Sequence, residues 1–170
     1  MLYIKIQRLL EEGDLRLRPL SLADGPFLTD GLRDKAILSS NFLSKPIDSS
    51  WFLIWWWFKK TYILPYCIEL DSRRIGFIGL YNLIADKSAE MSLVIFDKNS
   101  RRCGYSSRAF NIFTKNLKMN SVVKDIIVKI KADNHAAISF YKKLGFGEFY
   151  HPQFNKDIKT MSIDLANRYC

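Results

Sequence analysis

No stretch of this chain is apolar for the roughly 20 residues that a membrane-spanning helix needs. The densest run, Trp51-Phe52-Leu53-Ile54-Trp55-Trp56-Trp57-Phe58, stops at Lys59-Lys60. The N-terminus, Met1 to Leu10, places Lys5 and Arg8 among apolar residues and lacks the long apolar core and small-residue cleavage site of a secretory signal. The expectation is a cytoplasmic protein with no membrane partner. Cysteine is scarce as well: Cys67, Cys103 and Cys170 form neither a metal-ligand spacing nor a disulfide framework. With His135 and His151 as the histidines, a zinc site is hard to assemble, and no metal is expected. Linkers rich in Pro, Gly or Ser, internal repeats and low-complexity tracts are missing, so residues 1–170 read as a single domain.

Negative charge is the minority sign. Against 26 Lys and Arg stand 17 Asp and Glu, a net charge of +9 that implies affinity for something anionic. Charge alone would support a basic nucleic-acid-binding protein. The basic residues are spread along the chain, however, with no arginine-rich tail and no recognisable groove-reading module, so no nucleic-acid partner is expected. A hydrophobic content of 48% and an aromatic content of 14% fit a packed globule and argue against disorder.

The elements follow from periodicity. Asp14 to Arg18 alternates polar and apolar residues and is stopped by Pro19, which predicts a first strand. Ser21 can cap a helix from about Leu22, broken by Gly25-Pro26 and resuming weakly to Leu32; Asp48 or Ser49 can cap another from Ser50 to Lys60. Pro65 to Leu70 and Arg74 to Tyr81 read as a hairpin turned at Asp71-Ser72-Arg73, followed by a strand from Glu90 to Phe96. Phe110, Phe113 and Leu117 then fall at helical spacing after a Ser106/Ser107 cap. Asp125 to Lys131 alternates, with Ile126, Val128 and Ile130 on one face. Ala137, Phe140, Tyr141 and Leu144 form the buried stripe of a helix after Asn134, ended by Gly145 as a left-handed C-cap. Phe146 to Tyr150 and Ile158 to Ile163 supply the last strands. The order predicts an α/β chain with a mixed, largely antiparallel sheet of about seven strands and helices on its faces.

Two segments carry chemistry. Arg101-Arg102-Cys103-Gly104-Tyr105-Ser106 lies between the strand ending at Phe96 and a helix start. Strand, glycine loop, helix N-terminus is a recipe for holding phosphate, because the first helical amides have no intrahelical acceptor and the dipole is positive there. A basic turn on a solvated surface is the plainer reading of that loop. Cys103 has no His or Asp in a nucleophile pattern and reads as a small loop residue. Some thirty residues on comes Asn134-His135-Ala136-Ala137-Ile138-Ser139-Phe140-Tyr141-Lys142-Lys143-Leu144-Gly145-Phe146. Together the segments resemble the two signature motifs of the GNAT superfamily of acyl-CoA-dependent N-acetyltransferases. The loop follows the family's Gln/Arg-x-x-Gly-x-Gly/Ala with Ser106 at the last small position and Arg102 where glycine is frequent. The second matches Asn134-x-x-Ala137-x-x-x-Tyr141-x-x-x-Gly145-Phe146. The resemblance extends from about Leu15 to Asp164.

That resemblance implies the GNAT fold, with the sheet splayed between its fourth and fifth strands, and acetyl-CoA as cosubstrate. It implies that the backbone of Val94, Ile95 and Phe96 meets the pantetheine arm. The loop from Arg101 through Arg102, Cys103, Gly104, Tyr105 and Ser106 to Ser107 would hold the pyrophosphate, and Asn134 would bond the pantetheine amides, besides or instead of capping its helix. Tyr141 would protonate the departing thiolate, where a tyrosine on an apolar stripe otherwise reads as core. Glu90, with Asp97 as second choice, would take the amine's proton, or be a charge on a solvent face. The strand-then-two-helices beginning and Gly76-Phe77-Ile78-Gly79 look like the ribosomal-protein N-terminal acetyltransferases, whose outline the enzymes acetylating nucleotide-linked amino sugars share. A monomer or homodimer acting on an amine acceptor is the implied state. A non-catalytic acyl-CoA-binding module is the alternative. The tryptophans from Trp51 to Trp57 stay open as core, acceptor site or dimer contact.

Overall fold

Eight strands form one sheet in the order β1-β2-β3-β4-β5-β6-β8-β7. They are β1 (Leu10–Glu12), β2 (Leu15–Pro19), β3 (Tyr66–Leu70), β4 (Arg73–Tyr81), β5 (Ser88–Ile95), β6 (Asp125–Lys131), β7 (Gly147–Glu148) and β8 (Ile158–Asp164). The computed structural model describes residues 9–40, 64–83, 88–120, 123–149 and 156–169. The tryptophan run, the helix expected from Ser50 to Lys60, His151 and Cys170 lie outside the described residues. Among the described strands every neighbouring pair is antiparallel except β5 and β6. The helices are α1 (Gly25–Gly31), α2 (Lys35–Ser40), α3 (Tyr105–Asn120) and α4 (His135–Lys143). No described helix is long and apolar enough to cross a membrane.

Alternation along the strands assigns the two faces. Ile78 and Leu80 of β4, Ala89 and Met91 of β5, and Ile126, Val128 and Ile130 of β6 join the main core with Phe110, Phe113 and Leu117 of α3 and Tyr141 and Leu144 of α4. Phe77 and Phe96, on the other face, pack with Leu28 and Phe27 around α1. The sheet thus carries helices on both faces. Phe96 meets Phe27 edge-on at 5.3 Å. A Cβ on Gly31 would stand 2.4 Å from the Phe96 ring, so that close approach of α1 to the sheet requires glycine.

Three expectations need correction. Gly25-Pro26 does not break a helix but begins one, with Pro26 in the first turn, where its missing N–H removes nothing. The first strand is preceded by β1, which the short span 10–12 did not signal. The strand expected from Phe146 to Tyr150 is described only as Gly147–Glu148. The hairpin turn is as expected: Asp71 and Ser72 take φ of 47° and 64°, the paired left-handed geometry of a tight two-residue turn. Gly145 ends α4 at φ 93°.

The start of α1 is fastened by charge. Asp24, 1% exposed, accepts two bonds from Arg18 (2.7 and 2.8 Å) and one from the Ser21 amide (2.8 Å). Arg18 also reaches Glu69 at 2.8 Å. Burial pushes the Asp24 carboxyl up, but the Arg18 and Ser21 bonds outweigh it and hold the pKa at about 2. A carboxyl depressed in the folded state gives stability that is complete above about pH 4 and lost as pH falls through about 2. Asp24→Asn should therefore lower unfolding stability at neutral pH by about 2 kcal/mol and flatten the acid limb of the profile. Urea titrations of both proteins at several acidic pH values check this; parallel acid limbs would refute it.

Candidate functional site

The register between β5 and β6 creates the opening. Ser88↔Asp125, Ala89↔Ile126 and Glu90↔Ile127 pair, and the strands then part. The gap widens into a cleft of about 320 Å³ walled by both strands, by Arg102 and Ser106, and by Asn134, Ala137, Phe140 and Tyr141. Both motifs therefore meet in one cavity.

The β5 edge faces the cleft with specific atoms. Phe96 N–H donates to Ile75 O at 2.8 Å, which fixes the antiparallel alternation with β4. The amides of Glu90, Ser92 and Val94 consequently turn toward β4, and those of Met91, Leu93 and Ile95 toward the gap. The Ile95 carbonyl is occupied by Arg101 Nε at 3.0 Å. Leu93, which the sequence reading did not single out, presents both N–H and C=O to the cleft. Val94 also lines the cleft. Phe96 does not line it: its amide is spent on Ile75, its carbonyl on Arg101 Nη2 (3.0 Å), and its ring on Phe27.

At the far end lies the 101–107 loop. Arg102 and Gly104 take φ of 63° and 84°. Alternating left-handed residues before a helix turn successive amides into one concavity suited to an anion. The amides of Arg102, Cys103, Gly104, Tyr105 and Ser106 have no backbone acceptor among the described residues, whereas Ser107 and Arg108 already donate to Gly104 O (3.0 and 3.1 Å). A Cβ on Gly104 would meet no atom within 4 Å, so its left-handed φ, not crowding by protein, is what glycine serves here. Cys103 is exposed, with Sγ at 3.5 Å from the Asn99 and Arg101 carbonyls. The two arginines differ. Arg101 folds back on Ile95 O, Phe96 O and Asp34 (3.2 Å), while Arg102 has no ion-pair partner among the described residues. Arg101 thus braces the loop and Arg102 supplies its surplus charge.

Tyr141, 8% exposed, packs against Phe146 and Phe140 at 5.1 Å each and reaches the cleft. Burial first, and then neighbouring Tyr81, push its hydroxyl pKa well above the ordinary tyrosine value. Asn134 Oδ1 caps α4 through the Ala137 amide (3.1 Å), and the side chain also lines the cleft.

Glu90 sits behind the wall. It pairs across the sheet with Tyr81, whose pKa is pushed to about 12 by burial and then by the charge and hydrogen bond of Glu90. It also accepts from Lys129 Nζ at 2.8 Å. Tyr81 and Lys129 both line the cleft and were not foreseen. The signal for Tyr81 lay in hairpin register, which propensity does not reveal. Asp97 is instead a cap: it accepts from the Asn99 amide (3.3 Å) and from the Ser100 hydroxyl. Among the described residues no group of three His, Cys, Asp or Glu side chains could hold a metal ion.

Comparison with known proteins agrees with this geometry. Residues 14–147 match the family model of the acetyltransferase (GNAT) domain. No curated protein sequence matches the chain. Solved structures share its fold at low identity. A spermidine N-acetyltransferase from Vibrio cholerae, in complex with CoA and spermine, superposes with a TM-score of 0.79 at 21% identity, covering 92% of this chain and 99% of that one. A domain from Methanocaldococcus jannaschii DSM 2661 gives 0.76 at 17%, covering 88% and 97%. An aminoglycoside acetyltransferase in complex with coenzyme A gives 0.74 at 14%, covering 88% and 94%.

The left-handed Arg102 leads to a test. A side chain in that conformation costs about 1–2 kcal/mol, partly offset by the chain freedom glycine loses on folding. Arg102→Gly should raise stability by roughly 0.5 kcal/mol, read as a higher urea midpoint at unchanged slope. A clear destabilisation would show that the arginine side chain holds the loop.

Proposed function

Because the chain belongs to the GNAT acetyltransferase family, we propose that it moves an acetyl group from acetyl-CoA to a primary amine in the cleft between β5 and β6. The observation that carries this reading is the convergence of both motifs on one gap whose ends are chemically distinct. The loop amides from Arg102 to Ser106, with the Arg102 charge, suit a pyrophosphate; the Leu93 edge and Asn134 suit the amides of a pantetheine arm. These residues fit acetyl-CoA without help from Phe96.

Tyr141 stands on the main-core side of the gap, and Glu90, Tyr81 and Lys129 on the α1 and α2 side. In our reading the acceptor nitrogen attacks from the second side, forming the N–C bond as the C–S bond breaks. Glu90, directly or through Tyr81 or water, accepts the proton the nitrogen sheds. Tyr141 gives its hydroxyl proton to the departing sulfur. Its raised pKa keeps that proton in place at neutral pH, which suits an acid that must hold a proton until thiolate charge develops. The acceptor is a small molecule, a nucleotide-linked amino sugar among the candidates, or a protein N-terminus. The spermidine and aminoglycoside enzymes that share the fold act on amines of small molecules, which favours the first. A non-catalytic acyl-CoA-binding module would keep the loop and lose the proton relay.

Acetyl-CoA should raise the melting temperature, since a ligand bound by the native state alone stabilises it. Gly104→Val should weaken that binding, because a β-branched residue resists the φ of 84° that aims the amides. Full affinity in a folded Gly104→Val protein would remove the loop from the cofactor site. Tyr141→Phe keeps the ring packing and deletes the proton donor. Its kcat should fall by about 10²- to 10⁴-fold with little change in acetyl-CoA affinity. Normal turnover, with only a small loss of stability, would assign Tyr141 to the core.

A further inference from the structure

We infer that the acceptor carries an anionic group, a phosphate or a carboxylate, seated at Lys131 beside Lys129 on the α2 side of the cleft. The inference rests on the acetyltransferase reading above and names the chemistry of its second substrate. Strand alternation puts Ile127, Lys129 and Lys131 on the face opposite the main core, the face that bears Glu90. Lys131 Nζ donates to Ser39 Oγ at 2.8 Å, which ties that face to α2, whose next residue, Ser40, lines the cleft.

The charges around the gap can then be sorted by partner. Arg101 is neutralised by Asp34, and Lys129 by Glu90. Two cations are left over among the described residues at the cleft and its rim: Arg102 at the loop and Lys131 on the α2 side, whose bond goes to an uncharged serine. Arg102 answers the phosphates of the cofactor. Lys131 stands at the same open mouth, where β5 and β6 have parted, but on the α2 face, from which the acceptor enters in the reading above, so an anion carried by the acceptor would meet it there. Lys129 and Lys131 are two residues apart on one strand, so their stems leave the sheet about 7 Å apart, a span that a phosphate or carboxylate can bridge.

The same arrangement disfavours a polyamine. Such a substrate needs carboxylates to meet its further ammonium groups, and both carboxylates paired with cleft-lining cations, Glu90 and Asp34, are already engaged. A cationic tail would face Lys131 unscreened, and like charges in a partly enclosed site select against a wrong partner.

The test uses the full chain saturated with acetyl-CoA, so that the loop is occupied, and thermal unfolding in millimolar amines matched for size. O-phosphoethanolamine and β-alanine present phosphate and carboxylate respectively; ethanolamine and spermidine present neither. An anionic amine should raise the melting temperature by about 2–4 °C over acetyl-CoA alone, and the better of the two identifies the anion. Ethanolamine and spermidine should raise it little. Lys131→Gln should abolish the anion-dependent rise while keeping the rise caused by acetyl-CoA, which also shows that the variant is folded. Lys131→Glu should create a spermidine-dependent rise. The inference is overturned if neither anionic amine shifts the protein, if spermidine shifts it as much, or if the shift survives in Lys131→Gln. Absence of any acetyl-CoA shift in the unaltered protein would instead strike the acetyltransferase reading, and this inference with it.

Discussion

The parting of β5 from β6 after three paired residues is the constraint on which the rest of the structure depends. A strand edge inside a protein must satisfy its amides and carbonyls somewhere, since each unpaired buried group costs about what a lost hydrogen bond would. Arg101 answers part of that need. Its guanidinium takes the Ile95 and Phe96 carbonyls at the point where β6 has moved away, and Asp34 holds the guanidinium in turn. The side chain stands in for a missing strand. What it leaves uncovered, around Leu93, is the edge that an extended amide-bearing ligand can complete.

Around that gap the residues fall into two groups by face. α3 and α4 bring amides, Asn134 and Tyr141 from the main-core side. The other side brings Glu90, Tyr81, Lys129 and α2. In the reading proposed above, the proton donor and the proton acceptor thus reach one gap from opposite faces of the sheet. Charge divides as well, with Arg101 and Lys129 paired to carboxylates and Arg102 and Lys131 without an acidic partner among the described residues.

Much of this was legible in the sequence where one local rule sufficed. The stripe Phe110, Phe113 and Leu117 is fully buried, and Ile126, Val128 and Ile130 face the core. Asn134 and Gly145 bound α4 as a cap and a left-handed terminator should. What was not legible depended on register or on a side chain's second choice of partner. Which amides of β5 face the gap is set by its alignment with β4, so periodicity alone neither singles out Leu93 nor shows that the Phe96 amide and carbonyl are already engaged. Tyr81 became relevant only because the hairpin lays it opposite Glu90. Asp97, an acid at a strand end, accepts from the Ser100 hydroxyl and the Asn99 amide, partners that only the turn after β5 brings to it. The Gly25-Pro26 pair was read as punctuation in the wrong place, since proline is tolerated in a first turn and nowhere later in a helix.

The order of strands has a consequence for assembly. From β1 to β5 each strand lies beside its predecessor in the chain, and β6, β7 and β8 form a second local group. The two groups join through one parallel contact that must wait for the whole of α3 to span it. Closing that connection costs more entropy than turning the β3–β4 hairpin, and the connection from Pro19 to Tyr66 is longer still. The gap between β5 and β6 lies along that join. Without that one parallel contact the chain would own both strand groups and no cleft between them.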